Sequence, residues 1–72
     1  SLRVSLEMRV GSQCPATTVG ALEEALDVRV VAATVNGGPL TTARASTPLA
    51  AGDRVLVDAP APLLPQIAAY LH

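Results

Sequence analysis

The sequence predicts a small α+β domain: a mostly antiparallel sheet of about four strands, with one helix after the first strand and another at the C-terminal end. Three observations carry that prediction. Leu2, Val4, Leu6, Met8 and Val10 alternate with Arg3, Ser5, Glu7 and Arg9, the period of a strand with one apolar and one charged face. Val19, Leu22 and Leu26 recur at the i, i+3, i+7 spacing of a buried helix face. The run 63–71 places Leu63, Leu64, Ile67, Ala68 and Leu71 on one side of a closing helix, where Pro65 is tolerated only in the first turn.

The remaining elements follow in chain order. Gly11 stops the first strand, and residues 11–18 form a loop in which Pro15 holds Cys14 extended. Thr17 or Thr18 caps the helix of residues 19–26 through its hydroxyl. That helix has only about two turns, so packing rather than propensity must hold it, with Glu23 and Glu24 pointing outward. Residues 28–35 are nearly continuously apolar, as expected of a strand covered on both faces by its own helices or by another subunit. Asn36-Gly37 is a type I′ hairpin signal, and Pro39 makes the short return strand an edge or a strand start. After a connection over 43–48, Gly52 and Asp53 build a tight turn in which Asp53 bonds nearby backbone. Val55, Leu56 and Val57 then form the last strand, and the alternating Ala and Pro of 59–62 read as a stiff spacer.

Seventy-two residues make a single domain over 1–72. A chain of this size buries only about 60% of the surface its unfolded form exposes, so it gains from a partner. Half of the residues are hydrophobic, mean hydropathy is +0.42, and Tyr70 is the sole aromatic residue, so the core is built of Val, Leu, Ile and Ala. Net charge is -1, from five arginines, no lysine and six acids. This balance lacks the basic patch of a nucleic-acid binder and does not suit a membrane-surface module. One cysteine leaves no internal disulfide and fits a reducing compartment. No apolar run approaches the roughly 18 residues of a membrane span, and no signal peptide is visible. The first residue is serine, which reads as a domain cut from a longer protein.

Catalysis finds no constellation. Ser12 and Thr17 have no partner base, and Cys14 has no His, Lys or second Cys beside it to lower its pKa. Glu23, Glu24 and Asp27 read as a solvated helix face rather than a cation site, which needs several converging oxygens. His72, being terminal, is read as mobile and not as a base or ligand. An enzyme is therefore the least expected class. The binding candidates are Arg29, Asn36 and Arg44, the polar residues nearest the expected cleft. An arginine can fork onto a phosphate, whereas the competing reading makes the three solvated strand ends and a turn asparagine.

The ordered set of pieces resembles the RCK_C (TrkA-C) domain. This is the C-terminal regulatory module of potassium channels, Trk/Ktr-type uptake systems and some cation antiporters. The matching pieces are Val10-Gly11-Ser12, residues 18–26, 30–38 and 47–57 with its Gly52-Asp53-Arg54, and 62–71, which together span almost the whole chain. The resemblance implies a non-enzymatic regulatory domain of potassium or other cation transport. It implies a cytoplasmic homodimer attached to an upstream nucleotide-binding or membrane-transport domain, without nucleic acid and without insertion into the membrane. No cofactor is evident in the sequence; in some members of the family a cleft of the dimer binds a small ligand such as a cyclic dinucleotide (cyclic di-AMP) or a divalent cation. The nucleotide-binding members often carry a basic residue just after the second strand, where this chain has Thr34, Val35 and Asn36, so recognition of cyclic di-AMP is not carried over.

A second resemblance is to the ThiS/MoaD group of ubiquitin-like sulfur carriers, through residues 18–26, Val35-Asn36-Gly37 and 49–57. It implies a β-grasp carrier or interaction module. Those carriers act through a C-terminal Gly-Gly, whereas this chain ends Ala69-Tyr70-Leu71-His72, and they place a hairpin before the helix.

Overall fold

The fold was described from a computed structural model, over residues 2–72. Strand β1 (Arg3–Arg9) leads to helix α1 (Val19–Ala25), then to β2 (Arg29–Ala33), the two-residue β3 (Thr41–Thr42) and β4 (Arg54–Pro60). A 3-10 turn over Ala61–Leu63 runs into helix α2 (Leu64–Leu71). The strands form one antiparallel sheet in the order β1-β4-β2-β3. The last strand thus inserts between the two that flank α1, a split β-α-β arrangement. This is the α+β class expected, with the helix after β1 and the helix at the C-terminal end in place.

One core sits between the sheet and both helices. Val55, Val57 and Ala59 of β4 and Val30 and Ala33 of β2 meet Val19 and Leu22 of α1 and Ile67 and Leu71 of α2. A regular strand would turn residues 30 and 33 to opposite faces. The β2–β4 register shifts between Val30 and Ala32, and that irregularity lets both reach the core while Val31 is left 42% exposed. The near-continuous apolar run therefore reflects a bulged strand covered on one face, not one covered on both as expected.

The β1 expectation also needs correction. Its even-numbered residues do face the helix side, opposite Ala59, Val57 and Val55, yet only Val10 at its end is buried. Val4 and Met8 are half-buried and Leu6 is 44% exposed, because β1 is an edge strand and the helices cover β4 and β2. Residues 59 and 60 belong to β4 rather than to a spacer, and Ala68 is exposed while Tyr70 packs against the core.

The short helices are closed by specific bonds. Thr18 is the N-cap of α1, its Oγ1 accepting the Ala21 N–H at 3.2 Å. The Val19 and Gly20 N–H groups donate to Thr47 and Ala45 carbonyls at 2.9 and 2.8 Å, so the segment before β4 finishes the cap. At the other end of the chain, Gly11 N–H donates to Leu71 O and Gln13 N–H donates to His72 O at 3.2 Å. His72 is thus held by the loop after β1 rather than mobile. A Cβ on Gly11 would lie 1.7 Å from His72 O, so only glycine fits there.

Candidate functional site

A cleft opens where the sheet runs out of strand. β3 covers only Ala32 and Ala33 of β2, leaving the edge at Arg29, Val30 and Val31 without a strand neighbour. Two other groups take over its backbone bonds. Glu23 Oε2 of α1 accepts the Val30 N–H at 2.9 Å, and the Ala43 N–H donates to Val31 O at 3.1 Å. Between these contacts lies a cleft of about 620 Å³, lined by Val19, Glu23, Val28, Arg29, Val30, Val31, Thr42, Ala43, Arg44 and Ala45.

The cleft has an apolar floor and a charged rim. Val19, Val28 and Val30 are buried, whereas Arg29 and Arg44 are exposed and stand with Glu23 at the rim. The bend of the 43–47 segment positions Arg44, whose backbone N–H donates to Thr47 Oγ1 at 2.8 Å. Arg29 and Arg44, both among the cleft's lining residues, suit a small anion carrying an apolar or planar body, with Arg29 reaching it around the sheet edge from the far face. Glu23 is committed to a backbone N–H.

Of the residues singled out from sequence, Arg29 and Arg44, fifteen positions apart, line this one cleft. Asn36 does not. It takes φ 54° beside Gly37 at φ 73°, the positive-φ pair of the hairpin turn, which an asparagine tolerates. Glu23 was expected to point into solvent but reaches across to β2. The helical period reveals which face of α1 is apolar, but not that a strand end would present an unpaired N–H beside a polar position.

The other polar candidates have structural partners. Asp53 is 8% exposed; its Oδ2 accepts the Ala50 N–H at 3.0 Å, closing the turn in which Gly52 has φ 93°. Its Oδ1 accepts from the Thr34 hydroxyl at 3.3 Å, and Thr34 Oγ1 accepts the Arg54 N–H at 2.9 Å. Thr34 is buried and ties β2 to β4, a role the sequence reading did not assign. Cys14 is half-buried, its thiol 3.6 Å from Ala16 O. Among the described residues, no three of His, Cys, Asp and Glu converge as a metal site, and no helix is long and apolar enough to cross a membrane.

The far face of the sheet, away from the helices, is charged. The register places Arg3, Ser5, Glu7 and Arg9 of β1, Arg54 and Asp58 of β4 and Arg29 of β2 on it, four of the chain's five arginines. Arg3 pairs with Asp58 and Arg54 with Glu7, each at 3.4 Å and each half-exposed. Such pairs contribute about 0–1 kcal/mol each. No protein-family model matches this chain, and neither a curated protein nor a solved structure does.

Proposed function

We propose that this domain is a non-enzymatic regulatory module of a cation-transport system, as its resemblance to RCK_C domains implies. In this reading it acts in the cytoplasm as a homodimer attached to a transporter's other domains. The cleft between α1, β2 and the 43–45 segment takes a small anionic ligand, with Arg29 and Arg44 as its two cationic contacts. The observation that supports the ligand site is that these two arginines, distant in sequence, both line one apolar-floored cleft. The ligand regulates through differential affinity for two states of the assembly, since equal affinity for both shifts nothing. The ubiquitin-like alternative needs a hairpin before the helix, and among the described residues a single strand precedes α1.

A thermal-shift series tests this, with cyclic dinucleotides, adenine nucleotides, inorganic phosphate and divalent cations added to the protein and to its Arg29→Ala/Arg44→Ala variant. A ligand at 100 times its Kd stabilises by about 2.7 kcal/mol, a rise of several degrees in a domain this small. The expected result is a rise with one anion class that the double variant loses. If no anion raises Tm, or the variant responds as the parent does, the cleft is not the ligand site.

A further inference from the structure

We propose that the free edge of β1 pairs antiparallel with β1 of a second copy of this chain, in the register that sets Ser5 opposite Ser5. The proposal deepens the dimer reading above by naming its interface, and it does not depend on the cleft.

The backbone parity leaves this edge open for pairing. Val10 N–H donates to Asp53 O at 2.8 Å, and Ala61 N–H donates to Leu2 O at 3.0 Å. Both ends of the β1–β4 ladder therefore turn even-numbered residues toward β4, and the register is unbroken from Arg3 opposite Pro60 to Arg9 opposite Arg54. The N–H and C=O groups of residues 3, 5, 7 and 9 point away from the sheet. β1 has no proline and no bulge, two of the features that keep edge strands apart; its protective element is charge, in Arg3, Glu7 and Arg9.

The side chains choose the partner and the register. With Ser5 on the two-fold axis, Arg3 faces Glu7 of the second copy and Glu7 faces its Arg3. On the helix side, Val4 faces Leu6 and Leu2 faces Met8, each pair occurring twice. Among the described residues three large hydrophobics are exposed, and two of them, Leu2 at 71% and Leu6 at 44%, lie in this row. Shifting the axis to Leu6 sets Arg3 against Arg9, and shifting it to Glu7 sets Glu7 against itself. Like charges directly opposite one another destabilise a sheet, and unlike charges stabilise it. The strand is thus complementary to its own antiparallel copy in the Ser5 register.

Charge-swap complementation tests both the interface and the register. Light scattering and sedimentation over a concentration series would be run on the parent, Arg3→Glu, Glu7→Arg and an equimolar mixture of the two variants. Each variant alone meets like charge twice and dimerises about tenfold more weakly than the parent. In the mixture both cross-strand pairs become complementary, so a heterodimer forms with near-parent affinity, which also shows that both variants are folded. A dimer strengthened by Arg3→Glu places the axis at Leu6 and overturns the register. A dimer indifferent to Arg3→Glu and Glu7→Arg, or a mixture no tighter than its components, overturns the interface while leaving the dimer reading standing. A parent that stays monomeric at millimolar concentration overturns both.

Discussion

The two edges of this sheet solve the same problem in opposite ways. At the β3 edge the strand is two residues long, follows Pro39, and gives way to a carboxylate and a loop amide that take up the remaining β2 bonds. Closing an edge with a side chain leaves open volume, and that volume is the arginine-rimmed cleft. At the β1 edge seven residues run in unbroken register, with an exposed apolar row on one face and charges of alternating sign on the other. The first edge is partly covered within the chain, by Glu23 and the Ala43 amide; the second keeps its backbone groups for water or another strand. An unpaired row of N–H and C=O groups is either covered or available, and the two edges of this small domain show one case each.

The largest effect that breaks this contrast lies at the end of β1. Gly11→Ala forces a Cβ onto His72 O and displaces the end of α2 from the loop, with a loss of about 3 kcal/mol or more. Denaturant unfolding at low concentration measures it, and a loss under about 1 kcal/mol would mean that the α2 end relaxes freely.

Proline substitution then sharpens the parity of the β1 edge. Leu6→Pro removes an N–H directed at β4 and costs about 3 kcal/mol, whereas Ser5→Pro removes one directed outward and costs the monomer far less. Equal losses for the two would show that the assigned parity is wrong.

A smaller effect probes the opposite edge. Glu23→Ala leaves the Val30 N–H without its acceptor and destabilises by about 1–2 kcal/mol, while Glu23→Gln retains an oxygen there and restores most of that. Amide exchange at Val30 should rise in the alanine variant; unchanged protection would show that Glu23 is dispensable to the edge.

Much of the architecture could be read from local pattern. The alternation through β1, the spacing of Val19 and Leu22, the Thr18 cap, the Asn36-Gly37 turn and the Gly52-Asp53 turn each express backbone geometry and side-chain chemistry within a few residues. Where the reading failed, the missing information was non-local. Val31 looks like core because its neighbours are core, and only pairing with β4 shows the bulge that exposes it. Glu23 looks solvated until β2 presents a bare N–H to it, and Thr34 looks like a strand-end threonine until Asp53 and the Arg54 amide arrive from nineteen and twenty residues away. Arg29 and Arg44 were singled out by residue type, while their placement on one cleft depends on how short β3 is.

By itself the sequence determined the α+β class, the element order and the turn chemistry, because these depend on periodicities of 2 and 3.6 and on φ preferences that each residue carries with it. It also determined the charge order along β1, in which a self-complementary register is already written. The tertiary structure alone decided that β4 enters between β1 and β2, which leaves β1 at an edge and half of its apolar row uncovered. It also decided where backbone groups were left over, and so where Glu23 had to reach and the cleft had to open. Strand order is set by which pairing buries the most apolar surface against both helices, a sum over the whole chain that no local window contains.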